Sequence, residues 1–390
     1  MLSLCMHISR KHITIFVAIL ILVLLTTVLF LLFKQRTITV AFRDVPESVQ
    51  SAVTQQLQLL LNQLDEKAGK SKSTFRLETI NYPSNTPVQQ QLRQKPKVDL
   101  LICQAGLVAD AATAYAFERK AGVSNSILNT MPQTVAESAK QSNSLVAAIP
   151  LLIDHYELAV STSSDQLPFI FAGGHDSTLL ALAGAIAEAA YGTETAKQLA
   201  KDATNLAAKE ITTLQNVAKI LAQGITSQQI PQFCLNLLQE EVAVYMSNTT
   251  PEKVFMPLSF HRTLPYESLR RHKSTFMPSN QQSRSFTAPI TYAIPLTSRG
   301  KTAKTIETLL QMLTGSECQG QLANATGLAP VHATASTPDV QADDLRYWIA
   351  ASNPPLPPLD KAAFATERQA ADFADAFRSM VLEYVNSNTR

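Results

Sequence analysis

The sequence has few aromatic residues and almost no net charge. Aromatic side chains make up 7% of its 390 residues, with a single tryptophan, so few flat rings are available to stack against a ligand. The formal net charge is +2, and the 33 basic and 31 acidic residues are spread along the chain without a basic stripe. We therefore expect no nucleic-acid partner, because such proteins concentrate lysine and arginine on one surface.

Cysteine is also scarce, and no pair of cysteines has the CxxC spacing. This excludes a recognisable zinc module and favours buried free thiols, while a disulfide stays an open alternative. The four residues are Cys5, Cys103, Cys234 and Cys318.

Familiar catalytic and nucleotide-binding motifs are missing from the sequence. There is no HExxH, GxSxG, Walker A or GxGxxG pattern, and His261 and His272 have no ligand spacing. Asp154, His155 and Tyr156 could form a proton-transfer set, but adjacent residues on a strand point to opposite faces. We therefore expect no enzymatic activity, no cofactor and no metal site.

Residues 13–33 (ITIFVAILILVLLTTVLFLLF) form an apolar run without a charge, flanked by basic residues on both sides. At ~1.5 Å per residue a helix of this length spans a hydrocarbon core of ~30 Å. A cleaved signal peptide would have a shorter apolar region and a small-residue exit. The sequence therefore predicts an uncleaved transmembrane anchor, whose orientation the balanced flanking charges leave open.

The length predicts about two domains, and the segment after the apolar run predicts how the first one folds. Strands are indicated at residues 37–42, 75–82 and 98–103, with helical patterns between them. This alternation is typical of a parallel sheet covered by helices. Ligands bind beyond the carboxyl ends of such strands, which draws attention to Arg43 and Asp44 and to residues 104–106.

The stretch from 144 to 162, SLVAAIPLLIDHYELAVST, is apolar in its first half and alternating in its second. A strand buried on both faces and then on one face would give this pattern. Pro150 cannot donate to a ladder, so it fits a place where strand pairing changes. We interpret the stretch as a crossover between two lobes; a single buried strand in one α/β domain is the alternative.

A glycine turn after the crossover opens a further helix. In Gly173-Gly174-His175-Asp176-Ser177, either Asp176 or Ser177 could cap the helix. The same geometry would let backbone N–H groups and His175 face a ligand, and both interpretations can hold together.

Two stretches resemble the extracellular solute-binding proteins of bacterial ABC transporters, in the family 1 branch that includes maltose-type sugar receptors (periplasmic binding protein type 2). One is AAIPLLIDHYELAVST, and the other is ITYAIPLTSRGKTAKTIETLLQMLTGSECQGQLANATGLAPV. The resemblance implies an α/β fold of two lobes that close on a ligand by a hinge movement. With the apolar run, it implies the two-lobe periplasmic-binding-protein type II fold with an N-terminal transmembrane helix.

The resemblance also implies a set of ligand-binding positions and a division into domains. The domains would be 1–36 for a cytoplasmic tail and anchor, 37–148 with 286–330 for lobe I, and 149–285 with 331–390 for lobe II. The ligand-binding candidates carried over one position at a time are Arg43, Asp44, Gln104, Asp154, His155, His175, Asp176, Tyr292 and Phe364.

Two departures from the family pattern weaken the expectation of an oligosaccharide ligand. The loop after the third strand is Cys-Gln-Ala-Gly where sugar receptors often place an aromatic and an acid, and the chain lacks the usual segment between 162 and 167. The resemblance implies a protein in the bacterial cytoplasmic membrane whose extracytoplasmic, periplasmic part captures a small polar solute for ABC permease subunits. The alternative is a structural or sensory ectodomain that has lost ligand capture.

Overall fold

The computed structural model describes most of the chain beyond the apolar run. The described residues are 36–69, 75–94, 97–161, 168–249, 251–261, 263–265, 267, 271–275, 277, 288–337, 343, 346 and 359–388. The predicted anchor at 13–33 lies outside them. Among the helices in these ranges, none is both long enough and apolar enough to cross a lipid bilayer.

The first sheet has eight described strands, in the order β12-β6-β11-β3-β1-β2, with β4 and β5 paired to β6. Strands β1, β2 and β3 are parallel, as the sequence predicts, and β11 is antiparallel to both β3 and β6. The strands are β1 (Arg36–Arg43), β2 (Phe75–Asn81), β3 (Leu100–Gln104), β4 (Val123–Ser124), β5 (Lys140–Ser142), β6 (Leu145–Ile153), β11 (Ile290–Pro295) and β12 (Ala329–Pro330).

Helices cover this sheet because each has one apolar face. The first helix buries Val49, Val53 and Leu57 along a 3.6-residue stripe. Its partners in the first core include leucines of two later helices. The helices of this unit are α1 (Glu47–Lys67), α2 (Val88–Arg93), α3 (Leu107–Glu118), α4 (Gln133–Ser138), α10 (Gly300–Leu313) and α11 (Ser316–Thr326).

The chain leaves the first sheet between β6 and β7 (Tyr156–Ser161), where Asp154 and His155 separate the two strands. β6 belongs to the first sheet and β7 to the second, so the interpretation of this stretch as a crossover is confirmed. Pro150 lies opposite Tyr292 at an irregularity in the pairing with β11. Before this point β6 also pairs with β4 and β5, and after it with β12, so the pairing changes near the proline.

The second sheet has four described strands in the order β10-β7-β9-β8, with β8 parallel to β9. Helices again pack on it through apolar faces, and its core is separate from the first. Its remaining strands are β8 (Phe169–Phe171), β9 (Lys253–Pro257) and β10 (His272–Thr275). Its helices are α5 (Asp176–Tyr191), α6 (Thr193–Ala203), α7 (Thr212–Thr226), α8 (Gln239–Asn248), α9 (Leu258–His261) and α12 (Glu367–Asn388).

The three cysteines in the described ranges are free and buried, which confirms the expected state of these thiols. Cys103 belongs to the first core and Cys234 to the second, while Cys318 lies on α11. They act as small apolar side chains in the packing.

Truncating the core of the second unit should weaken it measurably. Phe377 on α12 is fully buried in that core. We expect Phe377→Ala to lower the free energy of unfolding by about 3–5 kcal/mol through lost apolar contacts and a residual cavity. Urea denaturation followed by circular dichroism measures this loss.

The matched control is Arg368→Ala on the same helix, whose side chain is 86% exposed. It should change the free energy of unfolding by less than about 0.5 kcal/mol. Equal effects of the two substitutions would contradict the packing described for α12.

Candidate ligand-binding site between the two sheets

Four strands of the first sheet end at one edge, and the edge carries several of the predicted site residues. β1, β2 and β3 are parallel, and β6 runs in the same direction because β11 is antiparallel to both β3 and β6. Arg43 ends β1, Gln104 ends β3, and Asp154 follows β6. The structure therefore brings these residues to the edge where open α/β sheets bind ligands.

The second sheet presents a corresponding edge to the same crossover. β8 and β9 both end there, and β7, antiparallel to β9, begins there. The residues at this edge are therefore His155 and Tyr156 before and at the start of β7, the Gly173–Gly174 turn after β8, and α9 after β9. The Asp154 backbone N–H donates to the Pro289 carbonyl at 2.9 Å, which ties the two segments between the sheets together.

The Arg43 side chain is fully occupied within the protein. Its Nε donates to Asp44 at 3.2 Å, and Nη1 donates to the Gln91 amide oxygen at 2.7 Å and to the Thr86 carbonyl. Nη2 donates to the carbonyls of Ser84 and Ala365 at 3.1 and 3.2 Å. A guanidinium has five N–H donors, so none is left over for a solute in this conformation.

Gln104 is more accessible than Asp44 at the first edge, because the Asp44 side chain is only 7% exposed. Asp44 has a left-handed backbone with φ 54° and accepts a hydrogen bond from the Ser84 hydroxyl at 2.7 Å. Gln104 is partly exposed, and the Ala105 N–H that follows it donates to the Ile290 carbonyl at 2.7 Å. Gln104 is therefore the side chain that a polar solute could reach on this side.

Asp154 is a buried carboxyl that holds the short helix α9. Its Oδ1 accepts from the backbone N–H groups of His155 and Ser259 at 2.8 and 3.1 Å, and its Oδ2 accepts from the Ser259 hydroxyl at 2.5 Å. Burial raises the pKa of Asp154 above its ordinary value, and these three hydrogen bonds work in the opposite direction.

His155 is buried beside Asp154, and its surroundings keep its ring neutral. Desolvation lowers the pKa of His155 to about 4, against a smaller raising effect of Glu157. Its backbone carbonyl accepts from the Leu258 N–H at 2.8 Å, so the residue also joins the crossover to α9. Glu157 itself is paired with His261, and both side chains of that pair are fully buried.

The turn at the start of α5 is fixed by an arginine from the last helix. His175 is exposed, with Nδ1 2.9 Å from the Thr178 hydroxyl. Arg378 donates to the Gly173 carbonyl at 2.9 Å and to Asp176 at 3.1 Å. The helix begins at Asp176 with His175 at the N-cap position and no side-chain cap, so the capping expected from Asp176 or Ser177 was wrong.

Two further candidates lie inside the cores. Tyr292 is 2% exposed, and its hydroxyl donates to the Ser138 carbonyl at 2.8 Å in the first unit. Phe364 is 5% exposed and packs against Phe373, with ring centroids 5.2 Å apart, in the second core. Burial of these rings leaves the stacking face that a sugar platform needs covered in this conformation.

Asp360 is a buried residue of the site that sequence reasoning missed. Its Oδ1 accepts from the Ala362 N–H at 2.8 Å, and the residue is 2% exposed. Burial raises the pKa of Asp360 to about 7, and Asp44 adds a smaller rise against the lowering effects of the Ala362 N–H and Lys361. Burial raises the pKa of Tyr156 in the second sheet, and the nearby Asp360 carboxyl adds to that rise. Asp360 is therefore close to residues of both edges, Asp44 and Tyr156.

Ser84, Gln91 and Ser259 were also missed, because each is an ordinary polar residue far along the chain from its partner. Within the described residues, no three histidine, cysteine, aspartate or glutamate side chains come together as metal ligands. The side chains at the two edges are donors and acceptors of hydrogen bonds.

Solved structures of bacterial solute receptors have a similar fold. The bacterial solute receptor AcbH, described with an exclusive preference for β-D-galactopyranose, aligns with a TM-score of 0.69 and 12% identity over 92% of this chain and 98% of that chain. A cyclo/maltodextrin-binding protein complexed with maltotetraose aligns with a TM-score of 0.55 and 12% identity over 92% and 98% of the two chains.

A third similar structure is a probable secreted solute-binding lipoprotein from Streptomyces coelicolor, with a TM-score of 0.59 and 10% identity over 91% of this chain and 99% of that chain. No family model matches the sequence, and no curated protein sequence matches it. The chain has the fold of the bacterial solute-binding receptors, which confirms the two-lobe α/β fold implied by the sequence resemblance.

Replacing Asp360 should change how the stability depends on pH. Its pKa is raised from 3.8 to about 7 in the folded protein, so the folded state binds more protons between these values. Stability from this group is present at low pH and is lost as the pH rises through about 7. We expect the free energy of unfolding of Asp360→Asn, relative to that of the unmodified protein, to be higher at pH 8 than at pH 5. Urea denaturation at the two pH values measures this difference.

The control is Asp372→Asn on α12, whose carboxylate is 74% exposed. Its stability should follow the same pH curve as the unmodified protein. If Asp360→Asn also follows that curve, the burial described for Asp360 is incorrect.

Proposed function

We propose that the protein is an extracytoplasmic solute-binding receptor that captures a small polar solute between two lobes and presents it to the permease of an ABC importer. The observation that carries the proposal is the meeting of two ligand-facing sheet edges at Asp154 and His155, in a fold shared with bacterial solute receptors. A solute bound there would contact both lobes, so binding would favour closure.

Under this proposal the lobes correspond to the two cores. Lobe I contains the first sheet up to Ile153 and the segment from 288 to about 331, and lobe II contains the second sheet with α12. The position of β6 supports a first crossing at Asp154 and His155, slightly later than the boundary at 148 expected from the sequence. A second crossing would run through Pro289, beside the first.

The solute class that we propose is a small carbohydrate or another polyhydroxyl compound. Proteins of similar structure include a receptor that prefers β-D-galactopyranose, a cyclo/maltodextrin-binding protein complexed with maltotetraose and a chitin oligosaccharide binding protein. Here Gln104, His175 and Asp176 would supply the hydrogen-bonding groups. The buried state of Phe364 favours a small solute over an extended oligosaccharide that needs several stacking rings.

We further propose that residues 13–33 anchor the protein in the cytoplasmic membrane. The support is the uncharged apolar run itself, with basic residues on both sides. A similar structure comes from a probable secreted lipoprotein, which is consistent with an extracytoplasmic site of action. The absence of catalytic motifs from the sequence and the receptor fold both support a protein that is not an enzyme.

A specific observation favours a second candidate function, a structural or sensory ectodomain that has lost ligand capture. All five donors of Arg43 are used internally, and Phe364 is packed into a core. Two of the expected ligand-binding side chains therefore serve the fold in this conformation.

Thermal melting with and without sugars separates the two functions. With D-galactose, maltotetraose and a chitin oligosaccharide, we expect at least one to stabilise the protein, by ~2.7 kcal/mol at 100 times its Kd. The same titration with Gln104→Ala should show weaker binding, because a hydrogen-bonding group of the first edge is removed. Gln198→Ala, at an exposed position of α6, is the matched control and should bind normally.

The outcome that supports the second function is a melting temperature unchanged by every sugar, together with a scattering radius that none of them reduces. Equal affinity of Gln104→Ala and Gln198→Ala would show that Gln104 does not contact the solute.

A further inference from the structure

The segment at the start of the last helix reaches from the second core to the first sheet. Leu359, Ala363 and Phe364 pack in the second core. Directly after these residues, the Ala365 carbonyl accepts a hydrogen bond from Arg43 at 3.2 Å, and the Glu367 N–H donates to the Ser84 carbonyl at 3.3 Å. The backbone of residues 360–367 therefore forms hydrogen bonds with the first unit, while apolar side chains of the same segment pack in the core of the second unit.

The same segment lies directly on the loop that follows β3. Gly106 has φ 148°, a conformation that side-chain-bearing residues rarely adopt, and a Cβ there would be 2.1 Å from the Ala362 carbonyl oxygen. No side chain fits into that distance, so the glycine is required by the close approach of the segment. Ala362 is 1% exposed.

The position of this contact matters because it covers the carboxyl ends of β1 and β3. Arg43 closes β1 and Gln104 closes β3, and a polar solute on this sheet would bind there. In this conformation backbone atoms of residues 360–367 occupy part of that surface, and Arg43 donates to them.

We propose that residues 360–367 form an internal strap over the ligand-facing edge of the first sheet, held by the Arg43 guanidinium. This inference rests on the proposed receptor function for its consequence, which is that a solute contacts the ends of β1 and β3 only after the strap has left them. Because the strap is attached to the second core, it leaves when the two units separate. A solute bound at these strand ends then takes its place, so the strap returns to them only when the units close without a solute.

One of the five Arg43 donors holds the strap, and the other four are already bonded within the first unit. Releasing Ala365 leaves one N–H of a buried guanidinium in need of a new acceptor. Water or an oxygen of the solute can supply that acceptor, so a hydroxyl-bearing solute would take the place that the Ala365 carbonyl holds.

Hydrogen exchange of the full chain tests the strap without a ligand. We compare the unmodified protein with Arg43→Gln and with the control Arg368→Gln, which removes the same charge from an exposed site on α12. Peptides covering 359–370 should exchange about tenfold faster in Arg43→Gln, since charged hydrogen bonds are lost, and at the original rate in the control. Equal rates in the two variants would overturn the proposal.

A disulfide cross-link tests the strap without changing Arg43, whose substitution could also destabilise β1 and β3. Ser84→Cys with Glu367→Cys places two thiols where the backbones of the two residues are hydrogen-bonded. Oxidation should form the cross-link in the native protein and slow exchange of peptides covering 359–370 relative to the reduced form. Failure of this pair to cross-link would overturn the proposal.

Calorimetry with D-galactose and maltotetraose then separates the strap from the receptor function. The reduced double variant should bind one of them about tenfold more tightly than the oxidised form, in which the strap is fixed. Equal binding by both forms would overturn the covering role of the strap. Absence of binding by every form would contradict the receptor function, while the exchange and cross-linking results still decide whether the strap exists.

Discussion

A buried guanidinium must find an acceptor for each of its five N–H groups, because an unpaired polar group costs free energy away from water. Arg43 meets this requirement with acceptors from three parts of the chain: its neighbour Asp44, the segment from Ser84 to Gln91 that leads into α2, and Ala365. One side chain therefore fixes the end of β1 against the loop after β2 and against the entry to the last helix. The edge of the first sheet formed by the carboxyl ends of its parallel strands is organised around that cation.

The crossover is organised by a buried carboxyl group, whose two oxygen atoms accept hydrogen bonds. Asp154 collects two backbone N–H groups and a hydroxyl, and thereby attaches α9 to the segment between the sheets. Glu157 and His261 form a buried pair immediately beyond it. Removing either partner of this buried pair would leave the other without its hydrogen bond, so the pair fixes the geometry of the crossover.

The sequence was informative wherever periodicity or chain order determines structure. The parallel β-α-β start, the apolar stripe of α1 and the change of sheet near Pro150 follow from patterns within one segment. The roles of single polar residues did not follow. Arg43 was expected to meet a solute, but its acceptors include a carbonyl 322 residues away, and no local pattern reports a carbonyl. Asp360 was missed for the same reason, since its burial is created by packing between distant segments.

The tight approach at Gly106 has an evolutionary consequence. As long as the Ala362 carbonyl lies where a Cβ would be, any residue other than glycine at position 106 collides with the backbone of another segment. A descendant that gains a side chain there must also reroute the polypeptide around Ala362. Changes at position 106 and in the backbone around Ala362 are therefore expected to occur together in evolution. A relative without the glycine will have a different backbone path before its last helix.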